Sequence, residues 1–550
     1  MKDLVDWKNR ADRKPLILLG ARQVGKTYIL KEFGRREFEN VAYINCDNNA
    51  MVRDLFKQDY NTERILLTIS AITGTNILAG KTLIIMDEIQ EAAHGLASLK
   101  YFCEEAREYH VAVAGSLLGL TLHQGESYPV GKVNTLEMHP MTYEEFLWAR
   151  GFKRQMDLLA NGMWDVVKSL NTIYIQHLRE YYMTGGMPEA VKKFIDTNDA
   201  NAVREVQEEI IKAYEKDISK HAPAEQTVRI NQVWNSIPSQ LAKENKKFIY
   251  GVIKQGARAK EYELAIQWLI DAGLVYKISR VKSLDIPLKI HEDISAFKLY
   301  MLDCGLLGAM SKTPPAMLLL PNKDNTGKGD FTENFICCQM ESLRKIPIYY
   351  YSKENSQLEL DFVIQAGTRT IPIEVKAEEN LQAKSLKTTI ANNPGMHGIR
   401  FSMSDYREQE SITNVRYQDF DGFGAAITGA AAYNLMQMPK ANRAKLLRET
   451  FSVQDGMGYS YVRVPIGGSD FNARSNYDYT CCDTKGIENF ALQSDEKDYI
   501  IPIIKEILAI NPDLKVMGTP WSCPRWMKVD DINKKGAYTS WVGGYLNPDY

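Results

Sequence analysis

The feature that most constrains this chain is the string Gly20-Ala21-Arg22-Gln23-Val24-Gly25-Lys26-Thr27, which follows the apolar run Ile17-Leu18-Leu19. Gly-x-x-x-x-Gly-Lys-Thr between a strand-like run and a helix-like segment, Tyr28 to Arg36, is the setting that makes the pattern a phosphate-binding loop. The glycines let the main chain close on an anion, while successive N–H groups and a helix N-terminus supply positive potential. Lys26 reaches the outer phosphates and Thr27 offers its hydroxyl to Mg2+. All eight residues from Gly20 to Thr27 therefore form the candidate nucleotide cradle, with ATP and Mg2+ as its expected ligands. A plain turn between strand and helix explains the glycines but not Gly, Lys and Thr in that order.

In an open α/β sheet the ligand sits beyond the carboxyl ends of the strands. The run Thr82-Leu83-Ile84-Ile85-Met86 is apolar throughout, as a strand buried on both faces of a parallel sheet must be, and it ends in Asp87-Glu88. Asp87 is placed to hold Mg2+ and Glu88 to polarise the attacking water, which together with Lys26 is what phosphoryl transfer asks of a protein. Val41 to Asn45 reads as another strand. Val111 to Ala114 reads as a third, tipped by Gly115-Ser116, whose hydroxyl is placed to sense the terminal phosphate.

These strings, with Asp87-Glu88-Ile89-Gln90, Ala114 to Gly119 and Pro140-Met141-Thr142-Tyr143-Glu144-Glu145-Phe146-Leu147, resemble bacterial and archaeal AAA-type ATPases that carry a C-terminal domain of unknown function. The resemblance covers about the first three quarters of the chain. Many relatives carry Arg where Lys132 stands; Lys keeps the charge but lacks the bidentate fork. Such sites are often completed by a neighbouring subunit, so the resemblance allows a homo-oligomer.

At 550 residues the chain has room for three or four domains at roughly 150 residues each. The expected divisions are a P-loop ATPase core over 1–151, a helical lid over 152–225 and three further parts over 226–329, 330–415 and 416–550. Hydrophobic residues make up 45% and charged residues 25%, with a net charge of -2, so no overall field draws the chain to nucleic acid or membrane. With no signal-peptide core and no membrane-length apolar run, a cytoplasmic location is expected. The eight cysteines contain no Cys-x-x-Cys pair, which favours reduced thiols over zinc or disulfides.

Tyr262, Ala265, Ile266 and Leu269 recur at helical spacing, Gly273 marks the stop, and Leu274 to Ile278 reads as a strand, as in a winged-helix module. Upstream, Lys243, Lys246, Lys247, Lys254, Arg258 and Lys260 form a basic cluster. Contact with nucleic-acid phosphates and an ordinary solvated face explain it equally well.

Downstream, Gln357 to Ile364 and Thr370 to Lys376 read as two strands joined at Gly367, carrying Asp361, Glu374 and Lys376. Asp followed by Glu-x-Lys on the next strand is the pattern of PD-D/E-x-K nucleases. The two-residue period puts Glu374 and Lys376 on one face. With Glu333 from a helix opening there, the acids are expected to hold Mg2+ while Lys376 steadies developing charge. An exposed hairpin carrying a Glu/Lys pair is the plain alternative.

Near Val415 the chain changes character. Tyr417 to Thr428, Leu446 to Ser452, Tyr461 to Phe471 and Thr519 to Lys528 resemble glucosylceramidase-type glycosidases, family 30 of the glycoside hydrolases. The resemblance implies that Asp470 and Trp521 line a sugar subsite and that Arg463 braces strand ends of an incomplete β/α barrel. A retaining glycosidase needs two carboxyls about 5–5.5 Å apart. The family's acid/base sits in an Asn-Glu-Pro string, which does not occur here, so no glycosidase activity is expected. The seam has no linker rich in Pro, Gly or Ser, which favours a gene or assembly chimera over a natural fusion.

Overall fold

The structure is a computed structural model. It describes the chain apart from residues 48–49, 116–128, 161–166, 168–169, 244–245, 320–327, 344–345, 354–357, 378–382, 405–406, 410, 417–423, 453–458, 460, 467–490, 493–494, 513, 521–527, 530–544 and 547–550. It divides into two compact units, one made mainly of residues 1–419 and the other mainly of 420–550.

In the first unit, β1 (Leu16–Leu19), β2 (Asn40–Asn45), β3 (Thr82–Asp87), β4 (His110–Ala114) and β5 (Asn134–Glu137) form a parallel sheet in the order β2-β3-β4-β1-β5. Every residue of β3 and β4 is buried, because alternate side chains feed two apolar clusters. One includes Ile84, Met86, Val111 and Val113. The other includes Leu83, Ile85, Ala112 and Ala114. With β4 between β1 and β3, the loop after β1 and the carboxylates after β3 both lie at the carboxyl ends of the strands, the side on which an open α/β sheet takes its ligands. The helix Lys26–Glu37 starts directly from that loop.

A helical stretch follows. Helix Asn171–Thr184 stops at Gly185, and Pro188 leads the helix to Thr197, as a fixed proline φ at the first turn favours. Helices Ala200–His221 and Ala224–Leu241 come next, and Ala259–Asp271 packs on the second of them.

The strands that follow join one mixed sheet. β6 (Val275–Val281) and β7 (Glu292–Met301) form an antiparallel hairpin. The strands β8 (Ile348–Ser352), β9 (Glu359–Ala366), β10 (Arg369–Val375), β11 (Gly398–Ser402), β12 (Arg407–Glu408) and β13 (Ile412–Arg416) complete the order β12-β13-β11-β10-β9-β8-β6-β7. β6 runs parallel to β8 through Ser279 and Tyr349, so the sheet crosses the division expected at 329/330. Helix Lys328–Ser342 begins five residues before Glu333, where the sequence pattern placed its start. Gly329 falls in the first turn, where its conformational freedom costs least.

The second unit holds a parallel sheet of β14 (Gly424–Ala426), β15 (Tyr461–Ile466) and β16 (Lys515–Pro520). Helices Gly429–Gln437, Lys440–Phe451 and Ile501–Ile510 accompany it. Its core gathers Ile427, Leu447, Phe451, Val462, Ile503 and Ile507, and both guanidinium arms of Arg443 meet Glu506 at 2.9 Å.

Candidate functional site

The loop after β1 turns by means of positive φ angles at Gly20 (135°), Gln23 (65°) and Gly25 (95°). Gly20 also has no room for a side chain, since a Cβ there would stand 2.2 Å from the Met138 carbonyl oxygen. Gly25 caps the helix that opens at Lys26. Lys26 is buried at 7% exposure, and its ammonium folds back on the carbonyls of Gly20 (2.8 Å) and Ala21 (2.7 Å). Burial drives its pKa from 10.5 down to about 8, against the pull of Glu88 and Asp87. This is a cation held by dipoles, where a phosphate would hold it better.

Thr27 and Asp87 meet. The Thr27 hydroxyl donates to Asp87 Oδ2 at 2.7 Å, and the Tyr43 hydroxyl donates to the same oxygen at 3.1 Å. Burial, followed by the Asp87 charge, pushes Tyr43 up to about 12, so it stays a donor. Glu88 lies one step past β3 at φ 50°, which turns its side chain out of the strand register. A hydroxyl and a buried carboxylate in contact beside a lysine are oxygen donors of the kind Mg2+ takes. The donor set thus suits a magnesium-bound polyphosphate. Tyr43 escaped the sequence reading because its role depends on β2 lying beside β3. Ser116 lies outside the described residues. Lys132 pairs with Glu104 at 2.8 Å.

The second acidic cluster is built differently from expectation. Glu333, 7% exposed, is engaged by three groups: Lys246 pairs with its Oε1, the Tyr300 hydroxyl donates to Oε2 at 3.0 Å, and Lys298 stands 3.9 Å from Oε2. Lys298 also pairs with Glu359 at 2.6 Å. Burial works to raise Glu333, yet Lys246 and Lys298 hold it below its ordinary value. Asp361 accepts the Val375 amide at 2.7 Å. Burial, reinforced by the Glu333 charge, pushes Asp361 up to about 7.

Glu374 pairs with Lys376 at 2.6 Å and accepts the Leu386 amide at 3.0 Å. The structure therefore sets Glu333 and Asp361 in one electrostatic neighbourhood and ties Glu374 to Lys376. Among the described residues, no three His, Cys, Asp or Glu side chains are grouped to hold a metal ion. Amines and amides occupy the carboxylates expected to gather around Mg2+. Lys246 also leaves the basic face to which the sequence reading assigned it. The signal for Lys298 was present: a lysine between Phe297 and Leu299 in an apolar strand must find a buried partner.

In the second unit, Arg463 is the third residue of β15 and is exposed. Asp470 and Trp521 lie outside the described residues.

With this geometry in view, the likenesses to known proteins fall into place along the chain. Residues 12–147 match the model of an AAA domain, and 420–544 match that of the glycosyl hydrolase family 30 TIM-barrel domain. The chain joins an AAA-type domain to a glycoside hydrolase family 30 segment. Between them, residues 175–316 and 328–418 match two domains of unknown function, DUF8612 and DUF4143.

Putative glucosylceramidase 4 of Caenorhabditis elegans is 38% identical over 120 residues, which is 21% of this chain and 22% of that protein. Lysosomal acid glucosylceramidase of Mus musculus is 32% identical over 127 residues, 22% and 24% of the two chains. The chain thus spans about a quarter of the length of these curated relatives. A solved endo-β1,6-glucanase is 62% identical over 24% of this chain and 28% of its own, with a TM-score of 0.23. The Walker-type ATPase of Pyrococcus abyssi is 14% identical over 56% of this chain and 94% of its own, with a TM-score of 0.36. No helix among the described residues is long and apolar enough to cross a membrane.

Proposed function

We propose that the chain binds and hydrolyses ATP at the loop after β1, and that its nucleotide state controls the helices and mixed sheet that follow as an interaction scaffold. The observation that carries the first part is the contact of Thr27 with Asp87 at 2.7 Å, beside the buried Lys26. Bound Mg2+ would be held by Thr27 and Asp87 and would offset charge on the terminal phosphates. Lys26 binds those phosphates. Glu88, set out of register past β3, orients and polarises the attacking water. Glu88→Gln is expected to keep ATP binding and to lose hydrolysis by at least about a hundredfold. Unchanged turnover in that variant would remove Glu88 from the role.

Helices Ala224–Leu241 and Ala259–Asp271 with the β6/β7 hairpin support a winged-helix reading of this region. The scaffold reading is preferred to nucleic-acid cleavage because Lys246, Lys298 and Tyr300 already occupy Glu333. Incubation of wild type and Asp361→Ala with DNA or RNA and Mg2+ tests this: cleavage lost in the variant would favour the nuclease. For residues 416–550 we propose no glycosidase activity by this chain. Release of chromophore from an aryl β-glucoside would overturn that.

A further inference from the structure

The nucleotide cradle is gripped from outside. Tyr214, 1% exposed, donates its hydroxyl to the Arg22 carbonyl at 2.8 Å. One turn along the same helix, Ala200–His221, Asp217 pairs with the Arg22 guanidinium. From a different element, Gly273 at φ 71° lies so close that an added Cβ would stand 3.2 Å from the Ala21 amide nitrogen.

These contacts belong to one packed body. Tyr214 meets Trp234 edge-on at 6.2 Å. Trp234 lies on helix Ala224–Leu241, which packs on Ala259–Asp271, the helix that ends just before Gly273. The Arg22 side chain is still 49% exposed, and it feels Glu88 and Asp47 as well as Asp217. A guanidinium so placed, two residues into a phosphate-binding loop, has two anionic partners to choose from once a nucleotide arrives. The forked oxygens of a phosphate suit it at least as well as a carboxylate.

We propose that Asp217 is a positioning residue of the nucleotide site: it holds Arg22 while the cradle is empty, and a bound nucleoside triphosphate draws Arg22 away, loosening helix Ala200–His221. The inference rests on the ATP reading and adds to it the element that receives the signal. Coupling between two equilibria is reciprocal. If ATP weakens the Arg22–Asp217 pair, removing the pair must strengthen ATP binding. An ion pair exposed on its arginine side limits the effect to about three- to fivefold.

The test uses the full chain, with fluorescent ATP and Mg2+ at fixed salt, and reads amide exchange over residues 200–221 with and without nucleotide. Asp217→Asn is expected to bind ATP about three- to fivefold tighter, with the change falling on KM more than on kcat. It is also expected to lose the ATP-induced rise in exchange that the wild type shows. Asp217→Glu, which restores the charge, should return both readouts toward wild type, and Asp217→Ser serves as a second neutral variant read in the same way. Equal or weaker ATP binding by the neutral variants, or wild-type exchange that ignores ATP, would overturn the proposal. A wild type that binds no ATP would instead remove the ATP reading beneath it.

Discussion

If the loop after β1 binds ATP as proposed, Lys26 should make that binding proton-linked. Its pKa stands at about 8 because burial disfavours the ammonium more than Glu88 and Asp87 favour it. A polyphosphate beside it would restore the charge, so above pH 8 binding must take up a proton. From 10.5 to about 8 is a differential of roughly 3 kcal/mol. ATP affinity should therefore be flat below pH 7.5 and fall about tenfold per pH unit above 8.

The sign for stability is the reverse. The folded pKa lies below the unfolded one, so the empty protein binds fewer protons than the unfolded chain between pH 8 and 10.5 and gains stability as pH rises through that window. Calorimetric titration of ATP at pH 9, in two buffers of different ionisation enthalpy, should show uptake of about 0.9 proton per nucleotide. Uptake near zero, with an affinity unchanged from pH 7 to 9.5, would mean that Lys26 is fully charged in the empty loop and would refute the reasoning.

Lys246→Met or Glu333→Gln alone strips one partner from a buried ion pair and should cost about 3–5 kcal/mol, whereas replacing both by apolar residues of similar size should cost far less; urea unfolding followed by near-ultraviolet circular dichroism checks both, and additive losses would count against a coupled pair. Gly20→Ala should abolish ATP binding in filter-binding or fluorescence assays, since the new methyl would meet the Met138 carbonyl at 2.2 Å while the backbone stays at φ 135°; a variant that still binds would show that the loop can open around β5.

The loop after β1 was legible because its turn is local: the positive φ angles at Gly20 and Gly25 and the helix that opens at Lys26 fall within eight consecutive residues. The strand that ends at Asp87 was legible because a short unbroken apolar run with carboxylates at its tip suits a strand buried on both faces of a parallel sheet. What escaped were partnerships across long stretches of chain. Lys246 meets Glu333 and Arg22 meets Asp217 over 87 and 195 residues, and no spacing rule reaches that far. Lys246 looked like one lysine among several in a basic run, and only the fold turns it inward. Asp303 is a similar case. It precedes an apolar helix as an N-cap should, but that it also accepts the Gly186 amide at 2.6 Å depends on two distant turns meeting.

The parallel pairing of β6 with β8 has a practical consequence for anyone dissecting this molecule. A truncation that begins at residue 328 would leave the flank of β8 bare at Tyr349, Tyr350 and Tyr351, where β6 now lies. Bare strand flanks recruit other chains, so such a piece should precipitate on expression, while one that begins before the hairpin keeps its own partner and stays in solution.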